Sequence, residues 1–161
     1  MPAPVTTESV WETLEKHVFA VLAYVTPAGE ARSAGIVYVL ADRNFFISTG
    51  TDTWKVRHIR ENPNVSLTVT IPKRLPFLPF IKIPAAVATC QGTAEILSVD
   101  EVDAAIVERL YRGMQVTEEM RSSTSVIKVA PRDDFVTYGI GVSLAQMRNP
   151  EDARGRAPVA S

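Results

Sequence analysis

The sequence predicts a mainly β fold, an antiparallel meander of six or seven strands that feeds a barrel and carries three helices. Runs of β-branched and aromatic residues recur along most of the chain and are separated by turn signals, beginning with VFAVLAYV, PAGE and ARSAGIVYVLAD between residues 18 and 42. The length of 161 residues suits one domain with a sizeable core and is too short for two ordinary domains. We therefore expect a barrel domain over residues 1–145 and a C-terminal arm over 146–161.

The first elements are a helix and three strands. Thr6 or Thr7 can cap a helix that runs to about Lys16, with Val10 and Leu14 on its apolar face. A hairpin over 18–42 follows, and a second turn leads into the strand NFFIS at 44–48. Three antiparallel strands are thus expected before residue 50.

Residues 44–70 combine features that favour an anion site. An apolar strand ends in a hydroxyl-rich turn, and a short basic helix follows with Lys55 in its first turn. The helix ends before Pro63, because proline disfavours helical geometry in the preceding residue, and a fourth strand begins. Hydroxyls and free N–H groups at a helix start, together with a lysine, suit a phosphate. The alternative is an ordinary capped helix with Lys55 in solvent, because short Ser/Thr-rich caps are common.

The segment PKRLPFLPFIKIP is the least regular part of the chain. Its prolines at 72, 76, 79 and 84 exclude a regular strand or helix, yet it is too apolar for a solvated linker. Three roles remain: a lid in which Phe77 and Phe80 line a ligand pocket, a subunit contact, or a surface that touches lipid, with Lys73, Arg74 and Lys82 at its rim. We favour a lid or dimer contact over a membrane contact, because no continuous amphipathic helix can form here.

The sequence after residue 84 predicts a strand at 85–97, a helix from Ser98 to Arg112 and one or two closing strands broken at Pro131. Gly92 is expected at a bulge or a close approach, and Cys90 in the core. The tail after residue 145 is rich in proline and charge and has no apolar period, which indicates a surface arm or a disordered segment.

Composition excludes several classes of function. Seventeen basic residues against eighteen acidic residues give a net charge of -1, so a dedicated nucleic-acid binder is not expected. His17 and His58 lie in no metal-ligand spacing, no GxSxG turn presents a nucleophile, and GIG at 139–141 is too short for a dinucleotide fingerprint. A single cysteine, no signal-peptide pattern and no long apolar run favour a cytoplasmic protein.

A predicted strand is followed by the segment STGTDTWKVRHIRENPNVSLTV, which has a lysine after its hydroxyl-rich turn and an Asn-Pro before the next strand. This order of features resembles the pyridoxamine 5'-phosphate oxidase-like FMN-binding split-barrel family. The likeness extends roughly from Trp11 to Tyr138. It implies a split β-barrel and a homodimer in which each cofactor lies between two subunits. It also implies a flavin- or deazaflavin-dependent oxidoreductase of actinobacterial type, using FMN or the deazaflavin coenzyme F-420 to exchange a hydride with a small substrate.

The resemblance also implies site residues. Lys55 matches the phosphate-binding lysine, with Trp54 in the same cap. The neighbouring hydroxyl turn supplies Ser48, Thr49 and Thr51. The strand that runs along the flavin ring in the family is matched by Arg32, Ser33, Ala34, Gly35 and Ile36, where small residues allow close approach. The alternative is that this segment is an ordinary strand with one solvent-exposed face.

Two departures from the family bear on activity, and one of them is the proline-rich segment, which is long for a split-barrel hairpin. The fuller basic set and the C-terminal Arg/His region of the members that oxidise pyridoxamine phosphate are missing, so production of pyridoxal phosphate is not expected. Some relatives of this fold bind haem, and a haem-binding or carrier protein is the alternative function, with His58 and His17 as candidate axial ligands.

Overall fold

Eight strands, all paired antiparallel, form one curled sheet in the computed structural model, which describes residues 5–75, 77–78 and 80–160. The strands are β1 (Phe19–Val25), β2 (Ala31–Val37), β3 (Val39–Ala41), β4 (Asn44–Gly50), β5 (Asn64–Ile71), β6 (Ala86–Ser98), β7 (Thr124–Tyr138) and β8 (Arg154–Pro158). The helices are α1 (Thr7–Glu15), α2 (Trp54–Glu61), α3 (Ala104–Leu110), α4 (Glu118–Ser123) and α5 (Pro150–Ala153).

Seven strands follow one path in the order β2-β1-β5-β6-β7-β4-β3, and β8 pairs with β7 beside it. The long strand β7 makes this arrangement. Its first half lies between β6 and β4, and its second half, from Asp134 to Tyr138, lies between β6 and β8. The predicted fold class, a mainly antiparallel split barrel, is confirmed.

The first helix, α1, forms where the local sequence signals predict it. Thr6 caps α1 in a capping box with Ser9, and the buried face of the helix carries Val10, Trp11 and Leu14. The Trp11 ring meets Phe135 of β7 edge-on, with the ring centroids 5.0 Å apart. Helix α1 therefore closes one side of the barrel core.

A second apolar cluster lies on the other face of the sheet, where strand alternation sends Phe46 and Val126 outward. Ile106, Val107 and Tyr111 of the α3 segment cover them. This packing fixes the end of α3 near β4 and β2, where the candidate site lies.

Some boundaries differ from the expectation. The helix expected from Ser98 is a short 3-10 turn at 99–101 followed by α3, which Asp103 caps through Ala105 N–H at 2.8 Å. No break occurs at Pro131, because β7 continues and pairs Pro131 with Gly92 of β6. Gly92 is a point of close approach as expected: an added Cβ would lie 2.6 Å from Cγ1 of Val129.

The C-terminal arm is packed against the sheet. Strand β8 carries Ala157 into the core, and the Val159 carbonyl accepts a hydrogen bond from Trp11 Nε1 at 3.1 Å. Within the described residues, no helix has the length and apolar character needed to cross a bilayer.

Candidate functional site

A cavity of about 420 Å³ lies between β2, the end of β4, the start of α2 and the C-terminal end of α3. Four residues predicted from the sequence line it: Gly35, Ile36, Ser48 and Lys55. Strand β2, which was predicted to run along a cofactor ring, and the turn between β4 and α2 therefore line the same cavity. They lie about a dozen residues or more apart in the chain.

The start of α2 has the polarity that an anion needs. Thr53 precedes the helix, and its hydroxyl donates to the Gly50 carbonyl at 2.9 Å instead of capping the helix. The first-turn N–H groups therefore receive no side-chain cap from Thr53, and the positive end of the helix dipole faces the turn. Lys55 lies in this first turn and pairs with no carboxylate within 4.0 Å among the described residues.

Two arginines that the sequence analysis did not assign to the site also line the cavity. Arg109, in the last turn of α3, donates from Nη1 to the Leu40 carbonyl of β3 at 2.8 Å. Arg112 follows the helix in a left-handed conformation with φ 53°. The Gly113 N–H reaches the Glu108 carbonyl at 2.9 Å and the Arg112 N–H reaches the Arg109 carbonyl at 3.2 Å, which is the hydrogen-bond pattern of a Schellman motif.

No local signal links these arginines to Lys55. The sequence marks Arg112 and Gly113 only as a helix end, and α3 reaches the cavity because its apolar face packs on Phe46 and Val126. Their contribution depends on tertiary packing, which no short motif encodes.

The lining of this cavity is cationic. It contains Lys55, Arg109 and Arg112 and, within the part of the chain that the structure describes, no aspartate or glutamate. Tyr38 also lines it, but its hydroxyl donates to the Leu14 carbonyl at 2.7 Å, and burial raises the pKa of Tyr38 above its ordinary value. Tyr38 therefore stays neutral, and the cavity suits a ligand with one or more negative charges.

The remaining hydroxyls of the turn support the backbone. Thr51 Oγ1 lies 3.0 Å from Ser125 Oγ, and the Thr51 N–H donates to the Ser123 carbonyl at 2.9 Å. Thr49 is paired with Ser125 across β4 and β7. These contacts hold the turn against β7 and so position Ser48 and Lys55.

Trp54 lies outside the cavity lining. Its side chain is exposed, and the Arg57 guanidinium lies 5.1 Å from its ring centroid. This exposed ring lies beside the hydroxyl-rich turn that follows β4.

The first part of β2 also lies outside the cavity lining. Arg32 pairs with Glu30 at 2.6 Å, Ser33 is exposed, and Ala34 packs against the core. β2 ends the strand path and pairs only with β1 among the described strands, so one edge of its backbone is open to a planar ligand.

The candidate haem ligands occupy different places. His58 lies in α2 with its ring centroid 5.8 Å from that of Tyr24 and 5.8 Å from that of Trp54. Its buried Nδ1 has no hydrogen-bond partner among the described residues. His17 follows α1 and is half-buried. The described part of the chain contains no group of three or more His, Cys, Asp or Glu side chains arranged to hold a metal ion.

The two phenylalanines of the predicted lid are exposed. Phe77 is 91% and Phe80 is 78% accessible, and neither lines the cavity beside Lys55. They are not core residues. Pro76 and Pro79 of the same segment lie outside the described residues.

The sheet order defines a split-barrel protein, and the cavity beside Lys55 has a cationic lining. The chain belongs to the pyridoxamine 5'-phosphate oxidase family, whose signature matches residues 6–135, well over half of its length. The family assignment made from residues 44–70 is therefore confirmed. No curated protein matches the sequence.

Several solved structures share the fold. A conserved hypothetical protein of Mycobacterium tuberculosis is 18% identical with a TM-score of 0.60, covering 78% of this chain and 79% of its own. An F-420 reductase is 20% identical with a TM-score of 0.53, covering 74% and 90%. A haem-binding protein of Mycobacterium smegmatis is 18% identical with a TM-score of 0.66, covering 86% of this chain and 56% of its own.

Proposed function

We propose that the protein is a flavin- or deazaflavin-dependent oxidoreductase and that the cavity holds the phosphate end of FMN or of coenzyme F-420. The observation that carries this proposal is the cavity itself. It combines the first turn of α2, Lys55, Ser48 and two arginines with the open edge of β2, and none of the described residues adds a carboxylate to its lining. Family membership and the fold shared with an F-420 reductase support the proposal.

The residues present fit such a cofactor. Lys55 supplies a point charge and Ser48 a hydroxyl to a phosphate, while the N–H groups at the start of α2 supply directed donors. Arg109 is held by its bond to the Leu40 carbonyl, so its charge is fixed near the same space. Gly35 lets the Phe19 ring lie against β2 at the cavity, because an added Cβ would lie 3.1 Å from that ring.

The chemistry of the reaction belongs to the cofactor, which exchanges a hydride with a small substrate when bound. The role of this chain is to bind, to orient and to exclude water. Apolar lining from Val18, Ile36 and Val37 lowers the local dielectric constant, which strengthens the attraction between the fixed cations and an anionic ligand.

The test removes the central charge. The Lys55→Ala variant should lose about 1.5–3 kcal/mol of cofactor binding, because a charge-assisted hydrogen bond is lost, while its thermal unfolding stays near that of the parent chain. Titration of FMN and of coenzyme F-420, followed by fluorescence, measures the loss and shows which cofactor binds. The matched control is Arg60→Ala, which removes an exposed charge from the last turn of the same helix. Equal affinity of the Lys55→Ala variant and the parent chain for both cofactors would remove Lys55 from the site.

A haem-binding role is the second candidate, and the observation that favours it is the unpartnered Nδ1 of His58. A histidine that binds haem iron through one nitrogen leaves the other to a hydrogen-bond partner, which a bound group or a water could supply. The fold shared with a haem-binding protein supports this candidate. Haem titrated into the protein should then shift and sharpen its Soret band, a change that the His58→Ala variant lacks, whereas a flavoprotein shows flavin bands instead.

A further inference from the structure

The segment from residue 72 to residue 85, called the insert below, joins β5 to β6 and presents apolar side chains to solvent. Phe77, Leu78, Phe80 and Ile81 are all exposed. Two backbone hydrogen bonds lie in the middle of the insert: the Leu78 N–H donates to the Leu75 carbonyl and the Ile81 N–H donates to the Leu78 carbonyl, both at 3.2 Å. Exposed aromatic rings on a short loop of this kind need a cover.

The charge around these rings has one sign. No aspartate or glutamate occurs between residues 62 and 94, whereas this stretch contains Lys73, Arg74 and Lys82. Arg74 and Lys82 are exposed, and neither forms an ion pair among the described residues. The apolar tip of the insert is therefore flanked by unneutralised cations.

The insert is tied to the barrel on one side. Lys73 Nζ donates to the Val142 carbonyl at 3.0 Å, so the base of the insert is joined to the loop that follows β7. The sequence places prolines at 72 and 84, which restrict the backbone where the insert leaves and re-enters the sheet. These restraints lower the conformational entropy that the loop would lose when it meets a surface.

Contrary to the preference drawn from the sequence, we propose that the insert is a membrane-surface contact, in which Phe77 and Phe80 enter the interfacial region of an anionic bilayer while Arg74 and Lys82 contact its headgroups. Apolar side chains flanked by cations match the two layers of such a surface, hydrocarbon below and anionic headgroups above. The proposal does not depend on the cofactor, because the rings lie outside the lining of the cavity.

A second copy of the chain fits this surface less well than an anionic bilayer. In a two-fold contact centred on the insert, the cations of one insert would face those of the other with no acidic residue in the segment to separate them. Carboxylates do occur on α1, at Glu8, Glu12 and Glu15. A two-fold dimer in which each insert meets the partner's α1 is therefore the competing arrangement, and the test below distinguishes it from a bilayer contact.

Vesicle co-sedimentation of the full chain tests the proposal. The parent chain should bind vesicles of equal parts phosphatidylcholine and phosphatidylglycerol, and bind phosphatidylcholine vesicles far more weakly. The Arg74→Gln/Lys82→Gln variant should bind the anionic vesicles about thirtyfold more weakly. The Phe77→Ser/Phe80→Ser variant should lose about tenfold or more. Added salt should weaken the binding of the parent chain.

Two control variants remove comparable groups elsewhere. Met114→Ser removes an exposed apolar side chain, and Lys16→Gln/Arg60→Gln removes two exposed cations. Both should bind anionic vesicles like the parent chain. The proposal is overturned if the parent chain does not bind these vesicles, or if the phenylalanine variant binds them unchanged. It is also overturned if the phenylalanine variant turns a dimer into a monomer and vesicle binding is absent throughout, since the cover would then be a second copy.

Discussion

Arg112 holds a left-handed backbone conformation at a helix end where glycine is the usual residue. This conformation is costly for a residue with a Cβ, and Gly113, the next residue, also has positive φ. The strained arginine lines the cationic cavity. Strain that persists beside a candidate site suggests that the side chain serves binding rather than folding.

The Arg112→Gly variant separates these two roles. The fold should gain about 0.5–1 kcal/mol, because glycine removes the left-handed strain at some cost in chain entropy. Cofactor affinity should fall, because one cation leaves the cavity. Urea unfolding and a flavin titration measure the two effects. Asp133→Gly is the control: Asp133 also has positive φ (62°) and lies outside the cavity lining, so this change should leave affinity unaltered. A loss of stability in Arg112→Gly would contradict the strain argument.

Cys90 and Tyr38 make the stability depend on pH in the alkaline range. Burial raises the pKa of the Cys90 thiol to about 12 and raises that of Tyr38 as well. In both cases the folded chain keeps a proton that the unfolded chain releases at lower pH. This contribution to stability is therefore fully present below the unfolded pKa and is lost as pH rises.

We expect the free energy of unfolding to fall above about pH 9, where the unfolded thiol titrates, by up to about 1.4 kcal/mol per pH unit from Cys90 alone. Tyr38 should add to the slope above about pH 10. Urea unfolding between about pH 8 and pH 11 measures the slope. Cys90→Ala and Tyr38→Phe should each flatten it, whatever their effect at neutral pH. A parent chain with the same stability across this range would contradict the expectation.

At the scale of elements, β8 stabilises the barrel although its segment has no apolar period in the sequence. It pairs with β7 from Asp134 to Tyr138 and buries Ala157. Val159, just beyond it, is also buried and accepts the bond from Trp11 Nε1. The strand thus covers one end of the core.

Deletion of residues 154–161 should lower the free energy of unfolding by at least about 3 kcal/mol, because the burial of Val159 and the hydrogen bond to Trp11 are lost and Phe135 loses cover. The urea midpoint measures the loss. Deletion of residues 160–161 alone is the control and should change little. If the longer deletion leaves the midpoint unchanged, β8 contributes no more than a surface contact.

The elements that could be predicted are those with local signals. The strand, turn, helix and strand of residues 44–71 could be recognised, because apolar alternation, hydroxyls and Pro63 lie within one short stretch. Strand β8 could not, because its pairing depends on β7, and β7 was not expected to continue through Pro131. Likewise the family resemblance selected Gly35, Ser48 and Lys55, which line the same cavity, whereas Arg109 and Arg112 reach that cavity only through the packing of α3.

At the scale of the whole molecule, the cavity opens beside an apolar surface. Val18, Phe19 and Val37 are each about half exposed, and Val18 and Val37 also line the cavity. The Phe19 ring covers Gly35, where an added Cβ would lie 3.1 Å from the ring. We propose that this surface is the contact of a homodimer, because its cover by a second copy would complete the wall of the cofactor site.

The proposed dimer can be tested by placing charge on this surface. Sedimentation velocity at low micromolar concentration should show a dimer for the parent chain without cofactor and a monomer for Phe19→Lys/Val37→Lys, because a two-fold contact would then bring four added cations together. The same variant should bind cofactor more weakly, because the monomer lacks the part of the cavity wall that the second copy would supply. Met114→Lys adds an exposed cation away from the cavity and should remain dimeric. A parent chain that sediments as a monomer yet binds flavin would show that one copy holds the whole site, and the apolar surface around Phe19 would then need another partner.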